Sequence, residues 1–366
     1  MFFRKGIMQR QGFIDWMKAL GMLLIVIGHI VGDPNNLFNL ISQPIYTKQL
    51  GVCLFIFIMG WNLANTRQTD FRVVFNRLVP IYFYGLLFTL VLSFIFIFTK
   101  GDINESNYVP FFFGLNVLFN SFPANPTTWY IGTYLHILLF WFFCLRGKSM
   151  TKKIVVQGFV VECVTRAVLL AMNQDFIAYM ILPNWLTVFL LGGYLWAKKD
   201  THWQPKAIAV VVLWVLMLAI WASPWNVFFN SGTLPFRSLT FADEASSVWF
   251  TPAYSLLISI VYLVNTWALF ELLRRLPKLQ WVEFFARNSL ITFIIHMPLI
   301  YGLMHVVYAQ FEHAWMGRLA LIMIIFVGCA LVSELLQRYI NIKYIQEKSW
   351  QISSNVLAHL RLSKDL

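Results

Sequence analysis

GFIDWMKALGMLLIVIGHIVG, residues 12–32, is long enough to cross a bilayer once, yet three ionisable side chains interrupt it: Asp15, Lys18 and His29. A spanning helix needs roughly 20 mostly apolar residues. At 100° per residue, positions 15, 18, 22, 25 and 29 share one helical face. Lys18 and His29 then lie roughly 16 Å apart along the axis, at 1.5 Å rise per residue. Ionisable groups are costly in hydrocarbon, so such a face turns toward a bundle interior and marks a functional site.

The rest of the chain has the same character. Of its 366 residues, 59% are hydrophobic and only 12% are charged. Mean hydropathy is +0.67. This composition excludes an ordinary soluble enzyme and fits an all-α polytopic membrane bundle. Ten apolar spans are expected, at about 12–32, 50–66, 78–98, 128–145, 154–172, 178–197, 207–225, 249–270, 287–307 and 317–339. They form one integral-membrane domain over 1–340, followed by a short polar tail, 341–366. The basic N-terminus (Arg4, Lys5, Arg10) resembles a secretory signal. The span after it exceeds a signal core and no small-residue cleavage site follows, so it reads as a retained first helix.

Charge distribution sets the expected orientation. With ten spans and a cytoplasmic N-terminus, 23 of the 28 Lys and Arg fall on the cytoplasmic side. Only Lys48, Lys100, Arg237 and Arg318 fall opposite, and Arg166 lies within a span. Both termini are therefore expected in the cytoplasm. The net charge of +12 is accounted for by this asymmetry, and no nucleic-acid partner is called for. The opposite loops (DPNN at 33–36, 101–128 and 223–248) are turn-rich, as the rim of a substrate entrance would be.

His29 is the first catalytic candidate, since imidazole is the usual general base near neutral pH. Arg67, Arg72 and Arg77, with Lys18, offer cations for a phosphate-rich ligand at the cytoplasmic mouth. Plain positive-inside charge explains that cluster equally well. Glu162 and Arg166 stand at i,i+4 and can pair; a structural ion pair and a substrate-lining role are both open. Glu334, His136 and His296 are further polar residues within spans. His296 either lines the same cavity or caps a helix kinked near Pro298. Trp129 and Tyr130 suit an interfacial aromatic belt, with sugar stacking as the alternative. Cys53, Cys144, Cys163 and Cys329 all sit in apolar runs without C-x-x-C spacing, so neither a disulfide framework nor a metal site is expected. P-loop, G-x-S-x-G and H-E-x-x-H signatures are missing from the sequence.

Six segments in order resemble the acyltransferase-3 family of bacterial membrane acyltransferases: IDWMKALGMLLIVIGHI (14–30), FIFIMGWNLAN (55–65), FRVVFNRLVPIYFYG (71–85), TTWYIGTYLHILLF (127–140), NWLTVFLLGGYLW (184–196) and RNSLITFIIHMPL (287–299). The first resembles that family's Asp, basic residue and histidine eleven positions later; the last is similar to its late S-L…H element. Lys18 stands where the family commonly has arginine, keeping the charge without the bidentate fork. Val74 replaces the first arginine of the usual R-x-x-R, leaving Arg72 as the nearest substitute.

The resemblance implies transfer of an acyl group, usually acetyl, from cytoplasmic acyl-CoA to a hydroxyl of an extracytoplasmic or lipid-linked glycan, such as an exopolysaccharide. It places the protein in a bacterial inner membrane. It also puts the CoA phosphates by Lys18, Arg77 and Arg72, with Asp15 orienting Lys18. His29 then acts as general base or transient acyl carrier, with Glu162 or Glu334 as candidate acidic partners. No permanently bound cofactor or metal is implied, and the chain would act alone or with a separate polysaccharide-assembly protein. A transporter or exporter of a glycan precursor is the alternative, given Glu162, Arg166 and Glu334. Such proteins often carry an internal repeat, which is not evident here. A non-catalytic partner of a polysaccharide synthase is a third reading.

Overall fold

The structure, a computed structural model, describes residues 11–30, 47–66, 70–99, 103–198, 204–221 and 244–359. Arg67, both chain ends and most of the loop segments read as a substrate rim (33–36 and 223–243) lie outside the described residues. The principal helices are α1 (Gly12–His29), α2 (Thr47–Ala64), α3 (Phe71–Thr99), α4 (Trp129–Phe140), α5 (Lys152–Ala171), α6 (Asp175–Met180), α7 (Leu186–Ala197), α8 (Gln204–Trp221), α9 (Glu244–Leu273), α10 (Gln280–Tyr308), α11 (Ala314–Tyr339) and α12 (Ile342–His359). No strand occurs among the described residues. The protein is an all-α polytopic membrane bundle. Among the described residues, seven helical segments are long and apolar enough to cross a bilayer. The remaining expected spans coincide with α2, α7 and α8, whose described apolar stretches are shorter.

The order of packing follows from which helices are apolar all round. Nearly every side chain of α2 is buried, as befits a helix enclosed on all sides. It lies between α1 and α7; α1 packs on α10 and α11, while α7 packs on α5 and α9, and α9 in turn on α8. Glycine permits the contact between α2 and α7. A Cβ on Gly60 would overlap the Phe189 carbonyl, and one on Gly192 would overlap that of Phe57. Backbones approach this closely in membranes through small residues. The outer helices carry exposed apolar stripes for lipid. On α5, Val156, Val160, Val164 and Val168 face out at four-residue spacing, while Gly158, Glu162 and Arg166 are buried opposite.

One expected span is not a single helix. Residues 178–197 break at Ile181, whose backbone is extended (φ −71, ψ 156), and pass through a 3-10 turn, Leu182–Trp185, before α7 begins. Pro183 cannot donate to a helical ladder, which accounts for the break. The twelve residues of α7 rise only about 18 Å, short of the roughly 30 Å hydrocarbon core.

The tail from 341 is also more than a polar extension. It forms α12, which docks on the start of α3. Pro80, inside α3, has no N–H to give the carbonyl four residues before it. That carbonyl belongs to Asn76, and Gln346 Nε2 of α12 donates to it at 2.5 Å. Trp350 packs edge-on to Phe75, with ring centroids 5.1 Å apart. Gln346→Ala is therefore expected to cost about 1 kcal/mol of local stability. Amide hydrogen exchange across 342–356 should rise about fivefold; unchanged exchange would mean that solvent already serves the Asn76 carbonyl.

Candidate active site

The charged face of α1 feeds two cavities at different depths. Nearer the end where α1 begins, Lys18 lines a cavity of ≈ 220 Å³ with Arg77 of α3, Tyr130 and Tyr134 of α4, and Ser289 and Phe293 of α10. Arg77 donates a hydrogen bond to the Tyr134 hydroxyl. Farther along, His29 ends α1 and lines a second cavity of ≈ 560 Å³ with Lys48, Thr127, Trp129, Phe293 and His296. Helix geometry sets the division, because eleven residues separate Lys18 from His29. Asp15 is buried one turn before Lys18 and lines neither cavity.

His29 and His296 face each other, with ring centroids 5.2 Å apart. His296 Nδ1 lies 2.6 Å from the carbonyl oxygen of Phe293. A carbonyl only accepts, so Nδ1 carries the proton and Nε2 keeps its lone pair in the neutral ring. That Nε2 is buried without a hydrogen-bond partner. His296 thus presents a fixed acceptor toward the His29 cavity.

The wall beside the histidines is built by a second proline. Pro298 lies within α10, so the carbonyl of Ile294 loses its helical donor. Asn125 Nδ2 donates to that carbonyl at 2.9 Å, and the Thr127 hydroxyl lies 3.1 Å from it. Thr127 N also donates to Asn125 Oδ1 at 3.1 Å. The Pro- and Asn-rich loop is thereby clamped to α10, and Trp129 follows it into the cavity wall. The helix runs on through Pro298 and His296 lines the cavity, so His296 does not cap a kinked end. Trp129 stacks on Trp185 (6.1 Å, 23°) and meets Tyr179 (5.0 Å). It is a cavity aromatic rather than a belt residue.

Five expected site residues lie elsewhere. Glu162 and Arg166 line neither cavity. Both are buried and form one network: Arg166 NH2 donates to Glu162 Oε1 (2.6 Å), Nε to Asn184 Oδ1 (2.7 Å) and NH1 to the Ser255 carbonyl (2.8 Å). Glu334 joins α10 to α11, accepting from Arg287 NH2 at 2.8 Å and Asn288 Nδ2 at 3.2 Å. Neither glutamate is therefore an acidic partner of His29. No carboxylate lines either cavity among the described residues. Arg72 is exposed and sits over the Trp350 ring, 5.7 Å from its centroid. Five residues turn a helix by 140°, so Arg72 and Arg77 cannot share a face. His136 bonds the Gly114 backbone and lines neither cavity.

Lys48, Phe293 and Tyr134 are among the site residues that escaped sequence reading. Lys48 had a signal, as a cation at the start of an otherwise apolar run on the sparsely charged side. Phe293 and Tyr134 had none, since they look like any aromatic residue within a span. Among the described residues, no group of three His, Cys, Asp or Glu gathers as a metal site would require.

The arrangement can hold an anion at Lys18 and Arg77, and can remove a proton at His29 in a separate, aromatic-walled chamber. A family model for an acyltransferase domain, acyltransferase 3, matches residues 11–334. No curated protein and no solved structure gives a match.

Proposed function

Because the chain belongs to the acyltransferase-3 family, and so is a membrane acyltransferase, we propose that it moves an acetyl group from acyl-CoA to a hydroxyl of a glycan outside the cytoplasm. The observation that carries this reading is the division of the α1 face. Two cations stand in one cavity, two histidines stand in the next, and Phe293 borders both. With the basic end of the bundle in the cytoplasm of a bacterial inner membrane, the CoA phosphates pair with Lys18 and Arg77. The pantetheine arm runs along α1 and brings the thioester toward His29, roughly 16 Å away.

The acceptor sugar enters the His29 cavity from the opposite side and stacks on Trp129. His29 takes the proton of the acceptor hydroxyl as its oxygen attacks the thioester carbon. The C–S bond then breaks, and the departing thiolate takes up that proton as CoA thiol. His296, fixed by the Phe293 carbonyl, supports the His29 ring. In this direct route no acyl-enzyme forms. The exporter reading drew on Glu162, Arg166 and Glu334, whose partners are now all structural.

Lys18→Met and Arg77→Met are each expected to raise KM for acyl-CoA by about 10- to 100-fold, since a charge-assisted hydrogen bond contributes about 1.5–3 kcal/mol. Arg77→Lys should recover part of that loss by keeping the charge. Steady-state kinetics on purified protein checks this, and a fall in kcat with KM unchanged would remove the phosphate-binding assignment. The overall reading is tested by proton NMR of surface-glycan acetyl groups in a deletion strain. Wild type should restore the signal and the Arg77→Met variant should lower it. Loss of the polymer itself would point to export or assembly.

A further inference from the structure

We propose that the Phe293 ring is a partition that lets the acyl group reach His29 while keeping water on the Lys18 side from reaching it. This rests on the donor and acceptor halves proposed above and adds a residue that decides between transfer and hydrolysis. Phe293 lines the Lys18–Arg77 cavity and also the His29–His296 cavity. Its side chain is buried, at 6% exposure. On the donor side its ring meets Tyr130, with centroids 4.8 Å apart. On the acceptor side it meets His296 at 5.6 Å. Its own carbonyl holds His296 Nδ1, so the ring and the second histidine are fixed by the same turn of α10.

The chemistry explains why a partition belongs there. A base that activates a sugar hydroxyl activates water as readily. If water reaches the thioester beside His29, its oxygen bonds to the acyl carbon and the C–S bond breaks. The proton removed from water ends on the CoA thiolate, and free carboxylic acid leaves. An aromatic ring packed between the chambers keeps water on the Lys18 side from reaching that thioester, and a bound sugar fills the acceptor side, while an extended acyl chain slips past the ring.

The test uses the full-length purified protein with acetyl-CoA and no acceptor, reading CoA thiol release and acetyl-CoA binding together. Phe293→Ala is expected to raise thiol release about tenfold over wild type, equivalent to about 1.4 kcal/mol of barrier. Phe293→Leu, which refills most of the volume, should stay within about twofold of wild type. His29→Ala placed on Phe293→Ala should abolish the gain. An alanine variant that binds acetyl-CoA like wild type and releases thiol no faster overturns the proposal. If the alanine variant does not fold, Phe293→Val removes the ring and is read in the same way. Should wild type bind no acetyl-CoA, the donor assignment falls and access decides the partition. Val52→Cys, in the His29 cavity, would be labelled in sealed vesicles by a charged thiol reagent supplied only on the basic face. Labelling at position 52 that rises with Phe293→Ala supports the partition, and labelling that does not rise overturns it.

Discussion

Replacing His29 by alanine is expected to lower acyl transfer by about 10²- to 10⁴-fold, the range that general acid–base catalysis contributes. The effect should appear in kcat, with KM for acyl-CoA nearly unchanged, because Lys18 and Arg77 bind in a different cavity. His29→Gln should be as inactive as alanine, since an amide fills the space but takes up no proton. His296→Ala should cost less, because it removes a neighbour 5.2 Å away rather than the base itself. The measurement is radiolabelled acetyl transfer to membrane glycan, with protein amount fixed by blot. Near-normal transfer by a well-expressed His29→Ala protein would remove the proposed mechanism. A labelled acyl group retained on the wild-type chain after removal of acyl-CoA would replace the direct route with an acyl-enzyme.

The first helix could be read from sequence because its constraint is local. An ionisable side chain in an apolar run is visible at once, and helical periodicity puts Lys18, Ile25 and His29 on one face. What periodicity cannot give is the partner. Arg77 lies 59 positions from Lys18, and only the packing of α10 on α1 and of α3 on α10 closes that cavity. Arg72 and Arg77 look equivalent as charges, yet 140° of helix rotation sends one to Trp350 and the other to Tyr134. The prolines are a similar case. Pro80 and Pro298 announce an orphan carbonyl four residues earlier, but which side chain supplies the donor is a tertiary fact: Gln346 for Asn76, and Asn125 for Ile294. A hydropathy window also smooths over the break at Ile181, since the flanking residues are as apolar as the helices they join.

That break is why Glu162 and Arg166 carry the other large expected effect. Unwound backbone within a bilayer survives only where protein satisfies its polar groups. Arg166 NH2 donates to the Asn184 carbonyl at 3.1 Å, while Asn184 Nδ2 closes back on the Tyr179 carbonyl at 2.9 Å. Thr133 Oγ1 donates to the Met180 carbonyl. The first turn of α7 also has orphan N–H groups, and one of them, Thr187 N, donates to Glu162 Oε2 at 2.9 Å. Here the carboxylate meets the positive end of a helix dipole as well as a guanidinium. Ser259 Oγ donates to Glu162 Oε1 at 2.7 Å and ties α9 into the same network.

Removing one member of such a buried pair leaves the other charge uncompensated, at a cost of about 3–5 kcal/mol. Arg166→Leu and Glu162→Leu are each expected to lower thermal stability sharply in detergent. The double substitution should cost less than the sum of the two, since it strands no charge, but should not be neutral, because Asn184 O and Thr187 N lose their partners in either case. Thermal unfolding followed by fluorescence-detected size exclusion measures all three. Glu162→Gln separates the roles further: its carbonyl can still accept from Thr187 N, but its NH2 then faces Arg166 NH2 and Ser259 Oγ, so its loss reports the charge together with the acceptor at Oε1. A strictly additive double mutant would show that the two side chains act independently, and the network would then be two separate caps. A Glu162→Gln protein with wild-type stability and no acyl transfer would return Glu162 to the catalytic chemistry, which its absence from both cavity walls argues against.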